Sequence, residues 1–183
     1  MIAELSALSA ALCWAIGGLI AVSVVRRIGA VNYNHLRMLL VGGVLCILAW
    51  PLGGWETLDK SMLLPLLLSG LIGIFIGDTA LFSCMKRLGP RRTGVIFAAN
   101  APFTAIMGSV FYQEQLSSQQ LLGGALIVAG VVVTIWLNRP REDTHAMEQV
   151  QGSLSAGILF GLISALGQAA GAIIAKPVME AGA

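Results

Sequence analysis

The amino-acid sequence predicts an all-α integral membrane protein with six transmembrane helices. Three observations carry this reading. Six long apolar runs occupy most of the 183 residues. Short polar joints separate them. The composition is 57% hydrophobic but only 11% charged, where a soluble domain carries about 25%. A soluble bundle of the same helices would have no polar face to turn to water, which excludes that class. A membrane β-barrel is excluded because its strands would alternate strictly over segments of about ten residues, and these runs are continuous.

The first run, Leu5–Val25, has no basic leader and exceeds the roughly 7–15 apolar residues of a signal peptide, so it predicts a retained helix. Arg26-Arg27-Ile28-Gly29 follows it. The second run is Leu36–Leu52, closed by Gly53-Gly54-Trp55-Glu56-Thr57, and the third is Met62–Cys84, closed by the basic joint Lys86–Arg92. The fourth, Thr93–Tyr112, ends at Gln113-Glu114-Gln115-Leu116-Ser117-Ser118; the fifth is Leu121–Leu137 and the sixth Ser153–Ala175. A crossing needs about 20 mainly apolar residues. Four runs reach that length, and the second and fifth reach it with a flanking residue or two. Gly and Pro in the joints break helices rather than extend them.

Residues 138–152 form the longest polar stretch and read as a surface linker. Beyond it the chain starts again. Ala156–Ala183 aligns without gaps to Ala3–Ala30, matching Gly171 to Gly18, Ile173 to Ile20, Val178 to Val25 and Gly182-Ala183 to Gly29-Ala30. A five-helix repeat crosses an odd number of times, so its successor must be inverted. The sequence therefore divides into a five-helix unit at 3–137, the linker at 138–152, and the first helix of a second, inverted unit at 153–183. On that division the chain is expected to be a piece of a longer protein, with a naturally six-helix protein as the alternative.

Helix parity gathers Arg26, Arg27, Lys86, Arg87, Arg91, Arg92, Arg139 and Arg141 on one side and leaves Lys60 and Lys176 on the other. The positive-inside rule makes the first side cytoplasmic and puts the N-terminus outside. The net charge of +2 suggests no nucleic-acid partner. Cys13, Cys46 and Cys84 lie inside or at the ends of apolar runs without metal-ligand or CxxC spacing, so neither a metal nor another cofactor is expected. Gly73–Gly77 and Gly157–Gly161 are GxxxG patterns, which favour close helix packing.

Few polar residues lie deep in the runs, and these are the candidates for chemistry. Asp78 is the foremost. It lies eight residues before Lys86, or about 12 Å along a helix, and an ionisable group at such depth usually faces a cavity or a partner. It can titrate protons or contact substrate, or it can serve as half of a structural ion pair. Arg37 is its expected partner, with snorkelling to the interface as the other role open to it. Asn100 offers donors and an acceptor about 10 Å inside the fourth helix. Beside it, Pro102 lacks an N–H and is expected to leave a carbonyl free one turn earlier. Trp14, midway along the first helix, can wall a pathway or pack in the core. Gln168 is the comparable polar residue of the sixth helix. His35 reads as a loop-level residue, and Glu114 as a helix-end group.

The ordered set of motifs resembles the EamA-type family of drug/metabolite transporters. Phe97-Ala98-Ala99-Asn100-Ala101-Pro102-Phe103-Thr104-Ala105 is similar to that family's fourth helix. It is followed by the joint Tyr112-Gln113-Glu114-Gln115-Leu116-Ser117 and the Gly-rich fifth helix Gln120–Val131. Ala10-Ala11-Leu12-Cys13-Trp14-Ala15 is similar to the first helix and Asn34-His35-Leu36-Arg37 to the start of the second. The resemblance covers residues 3–137 well and 153–183 in part. It implies ten helices in two inverted repeats, with both ends usually cytoplasmic. It also implies export or exchange of small metabolites such as amino acids across the plasma or inner membrane. The chain departs from that pattern in lacking most of a second repeat and in its charge bias. Its partners would then be the lipid bilayer, a small-molecule substrate, and either another copy or the missing repeat. A membrane-embedded enzyme is disfavoured, since the chain has no HExxH, GxSxG or paired catalytic carboxylates. A non-transporting membrane subunit or assembly protein is the competing class.

Overall fold

The computed structural model describes residues 2–51, 59–136 and 148–181, and no strand occurs among them. The joint at 53–57 and most of the expected linker, including Arg139 and Arg141, lie outside the described residues. Among the described residues, six helical spans are long and apolar enough to cross a membrane, as befits a multi-pass integral membrane protein. α1 (Ile2–Ile28) and α2 (Ala30–Ala49) are the first two. The third comprises α3 (Lys60–Ser69), a π-helical segment (Gly70–Asp78) and α4 (Thr79–Leu88). The fourth comprises α5 (Pro90–Phe97) and α6 (Asn100–Tyr112), and α7 (Ser118–Trp136) and α8 (Leu154–Glu180) complete the set.

Single glycines make two of the turns. Gly29 takes φ 88° and Gly89 φ 82°, a conformation that costs other residues a Cβ clash. The Gly29 N–H bonds Val25 O at 2.9 Å, and α2 begins at the next residue. The joint expected at 26–29 therefore shrinks to one residue, and the following helix starts six residues earlier than its apolar run. His35 is accordingly helical rather than loop-level, exposed, with its ring 5.3 Å from Phe75. After Gly89, Pro90 occupies the first turn of α5, where its missing N–H costs nothing.

The fourth span breaks at Ala98–Ala99. Pro102 cannot donate to Ala98 O, but that carbonyl does not stay free as the sequence suggested: Ala101 N–H takes it at 3.2 Å, tightening the turn. At the far end, Gln113 closes α6 in the left-handed conformation (φ 53°). Ser117 and Gln120 then cap α7 reciprocally, with Ser117 N–H to Gln120 Oε1 at 2.8 Å and Gln120 N–H to Ser117 Oγ at 3.3 Å.

α8 is the most buried span and lies against both the third and the fourth. Gly157 receives Leu88, Gly161 receives Ile96 and Cys84, and Gly167 and Gly171 meet Gly77 and Gly73. This ladder runs antiparallel to the third span. α1 instead runs parallel to it, with Gly18 on Met85 and Trp14 lining the same cavity as Leu81. α1 and α8 are thus opposed in direction, and each is 27 residues long. The GxxxG of the third span faces a second one, Gly167–Gly171. A Cβ on Gly171 would stand 2.9 Å from Gly73 Cα, and one on Gly167 3.1 Å from Gly77 Cα. Only glycine permits backbones so close, and the gain is dispersion contact that lipid cannot supply. The other GxxxG, Gly157–Gly161, works differently, as a pair of holes for the Leu88 and Ile96 side chains. α2 and α7 present apolar residues such as Leu39, Ile47, Leu122 and Leu126 outward.

Candidate functional site

The polar centre is built on the π-helical segment. Asp78 ends that segment, buried, ten residues before Leu88 and so about 15 Å from that end of the span. Arg37 of α2 pairs with its Oδ2, and Gln168 of α8 donates from Nε2 to its Oδ1 at 2.8 Å. Both carboxylate oxygens are therefore satisfied, each from a different span. The Arg37 guanidinium also lies 5.3 Å from the centroid of the Phe82 ring, an arrangement that further stabilises its charge. Because α2 starts at Ala30, Arg37 stands two turns inside the helix. It reaches inward to Asp78 rather than snorkelling outward.

The same side chains hold the π register. A π-helix widens the turn and leaves carbonyls poorly served. Gln168 Nε2 donates to Gly73 O at 3.2 Å. Asn34 Nδ2 lies 3.3 Å from both Ile74 O and Phe75 O and 2.9 Å from Thr79 Oγ1. Asn34 is 1% exposed, and its Oδ1 accepts from Arg37 Nη2 at 3.4 Å. Asn34 is the member of this cluster that the sequence marks only as part of the Asn34-His35-Leu36-Arg37 motif. Its three-residue spacing from Arg37 places both on one face of α2, and that was the signal available.

A cavity of about 440 Å³ opens beside the cluster. Arg37 and Asp78 form its polar wall; Trp14, Tyr33, Phe82 and Leu81 are among its apolar lining, with Cys13, Gly17 and Gly18 among the other residues on the α1 side. Trp14 stacks on Phe97 of α5, centroids 5.4 Å apart and planes 19° apart, which fixes its ring at the edge of the cavity. Tyr33 meets Phe82 edge to face at 4.7 Å. Such a space, mostly apolar with a few placed polar groups, has the character of a small-molecule site.

Four of the six residues singled out from sequence thus converge: Arg37 and Gln168 each bond Asp78, and Trp14 shares the cavity that Arg37 and Asp78 line. Asn100 and Pro102 do not join them. Asn100 is half-buried at the start of α6 and makes no side-chain hydrogen bond among the described residues; its carbonyl accepts from Thr104 Oγ1 at 2.8 Å. Pro102 packs toward Gly124 of α7. Glu114 closes the end of α6, its N–H bonding Gly108 O at 3.4 Å, and its carboxylate also pairs with Lys176 of α8. No cluster of three His, Cys, Asp or Glu side chains fit to hold a metal occurs among the described residues.

Arg26, Arg87, Arg91 and Arg92 gather at one end. Arg26 Nη2 donates to Gln149 O at 3.0 Å, Arg91 N–H to Glu148 Oε1 at 3.2 Å, Arg92 Nη1 to Glu148 O at 3.3 Å, and Gln151 N–H to Arg87 O at 2.8 Å. Residues 148–151 are thereby strapped across this end before α8 begins.

A helical bundle of six apolar spans around a buried ion pair and a cavity defines a polytopic membrane protein with an internal polar site. Residues 1–136 match the EamA-like transporter family, and the chain belongs to it. It is 26% identical over 134 residues to an uncharacterized transporter of Archaeoglobus fulgidus, covering 73% of this chain and 48% of that protein. It is 29% identical over 153 residues to a probable amino-acid metabolite efflux pump of Salmonella typhimurium, covering 82% and 48%. A WAT1-related protein of Arabidopsis thaliana is 27% identical over 82 residues, covering 45% and 22%. The chain spans about half the length, or less, of these relatives. No solved structure matches significantly.

Proposed function

We propose that this chain carries a five-helix unit and the opening helix of an inverted second unit of a small-molecule transporter. In this reading the Asp78 centre and its cavity form part of the substrate pathway. The observation that carries it is a carboxylate held mid-span by Arg37 and Gln168 and opening on a cavity of about 440 Å³. The opposed directions of α1 and α8 support the inverted-repeat division at 3–137 and 153–183. The Salmonella relative's description supports export of amino acids or related metabolites. A second five-helix unit, from another copy or from further chain, completes the pathway.

Asp78 is the proton-exchanging group in this reading. When it takes a proton, its attraction for Arg37 falls, and the guanidinium is freed to meet substrate or solvent in the cavity. Gln168 senses the same event from α8, so the occupancy of one carboxyl bears on the position of a whole span. Trp14, Tyr33 and Phe82 supply apolar walls against which a metabolite's hydrocarbon portion can rest. Flux in proteoliposomes, measured against pH with labelled amino acids, tests the reading. Asp78→Asn is expected to abolish pH-dependent flux while the protein still inserts; unchanged flux would reject it. The competing assignment, a non-transporting subunit in which Asp78–Arg37 is only a structural pair, predicts no flux in the wild-type protein.

A further inference from the structure

The two charged residues in the wall of the Asp78 cavity are unequally committed. Both Asp78 oxygens are already bonded, one by Arg37 and one by Gln168, and its side chain is only 9% exposed. The Arg37 side chain is 32% exposed. Its two hydrogen bonds, to Asp78 and to Asn34, both leave from Nη2. Nε is buried without an acceptor, and Nη1 bonds nothing among the described residues. A guanidinium carries five N–H donors and can serve two carboxylates at once. A buried donor left unpaired costs free energy that an incoming acceptor recovers.

The rest of the lining has no counterpart for a cation. Among the described residues, Asp78 is its one acidic member, and it includes no Ser, Thr, Asn or Gln. The α1 residues that line it lie in the helix interior, where carbonyls are bonded along the helix. Aromatic faces attract cations, but a cation seated here would meet the like charge of Arg37, which already lies over the Phe82 ring.

We infer that this cavity takes an apolar monocarboxylate: a carboxylate on an aromatic or branched hydrocarbon body, without an α-ammonium group. The inference rests on the reading of the cavity as part of the substrate pathway. Among amino acids and related metabolites, it selects the acids that lack the amine. The carboxylate accepts from the unused N–H groups of Arg37, and the body rests against Trp14, Tyr33 and Phe82. An α-ammonium, one carbon from that carboxylate, would be held beside the guanidinium with no free anionic partner, so its desolvation would go uncompensated.

The test compares 3-phenylpropionate, phenylalanine and phenethylamine, which share one body and differ in charge, by equilibrium binding to the full chain in lipid nanodiscs. The acid is expected to bind about tenfold tighter than the amino acid, and the amine not to displace it. Phenylalanine or phenethylamine binding as tightly as the acid overturns the inference. The native thiols report the location. Cys13 lines the cavity, whereas Cys46 is exposed outside it. The acid is expected to slow alkylation of Cys13 and leave that of Cys46 unchanged; a Cys13 rate indifferent to the acid overturns the assignment. Arg37→Gln should lose the binding and Arg37→Lys retain part of it. Since Arg37→Gln can fail to fold, Gly17→Leu is the second variant. Gly17 lines the cavity and a Cβ there meets nothing within 4 Å, so the leucine fills the space without moving the helices. Undiminished acid binding by Gly17→Leu also overturns the inference. Flux in proteoliposomes separates the two readings. Flux of phenylalanine, with no preference for the acid in binding, removes the inference and keeps transport. Acid binding that protects Cys13, in a protein that carries no flux of the three compounds, upholds the site and removes transport.

Discussion

Removing either half of the Asp78–Arg37 pair is expected to destabilise the protein, and removing both to cost less than the sum. Breaking a buried pair by deleting one partner costs about 3–5 kcal/mol, because the survivor is left charged in a low dielectric. The two halves differ in what remains to them. After Arg37→Gln, Asp78 keeps only Gln168 as a side-chain donor, and its side chain is 9% exposed; a loss of about 3–4 kcal/mol is expected. After Asp78→Asn, Arg37 keeps Asn34 Oδ1 and the Phe82 ring, and its side chain is 32% exposed, so screening reduces the loss to about 1–2 kcal/mol. The double variant strands no charge and is expected to lose about 2 kcal/mol, a coupling of about 2–4 kcal/mol. The assay is thermal unfolding in nanodiscs for wild type, both single variants and the double. Additive losses within about 0.5 kcal/mol, or a greater loss from Asp78→Asn than from Arg37→Gln, would refute the reasoning.

Asn34→Leu removes the donor to Ile74 O, Phe75 O and Thr79, and is expected to cost about 1–3 kcal/mol; hydrogen exchange across residues 70–79 should rise in step, and protection equal to wild type would count against the role given to Asn34. Gly171→Val places side-chain carbons where Gly73 Cα already stands and is expected to cost about 1–3 kcal/mol as α8 is pushed from the third span, whereas Gly70→Ala, with open space at its Cβ position, should be nearly silent; equal thermal shifts for the two would contradict the packing described. The basic end is expected to face the cytoplasm. An Arg91→Cys reporter should then resist an impermeant thiol reagent in intact cells and react once they are opened, and labelling from outside would reverse the orientation.

The spans were legible because membrane crossing is a matter of length and composition, and both are local. Asp78 and Gln168 stood out for the same reason, as polar groups at mid-depth in apolar runs. Arg37 was legible as a partner but misplaced in depth, since the apolar run starts at Leu36 while the helix starts at Ala30; a single positive-φ glycine, Gly29, makes the difference. The π-helical segment could not be read from Gly70–Asp78 itself. Its register is held by Asn34 and Gln168, donors from other spans, and local propensity carries no trace of them. The pairing of Glu114 was illegible for a similar reason: its partner Lys176 lies 62 residues on. Asn100 and Pro102 are polar and irregular at a plausible depth, yet the break at Ala98–Ala99 directs Pro102 toward α7 and away from the Asp78 cavity.

α8 links the two polar places of the molecule through one body. Gln168, just past its midpoint, bonds the Asp78 carboxylate; Lys176, eight residues on and about 12 Å along the axis, holds Glu114. Between them Gly167 and Gly171 rest backbone to backbone on the third span, a contact too close to deform gradually. Packed surfaces of this kind shift between discrete arrangements rather than yielding continuously. A change at Asp78 that releases Gln168 therefore acts on a helix whose far end lacks one backbone hydrogen bond at Pro177. The glycine-rich part of α8 has large dispersion contact, while the Lys176 end combines a buried Val178 with partly exposed charged side chains.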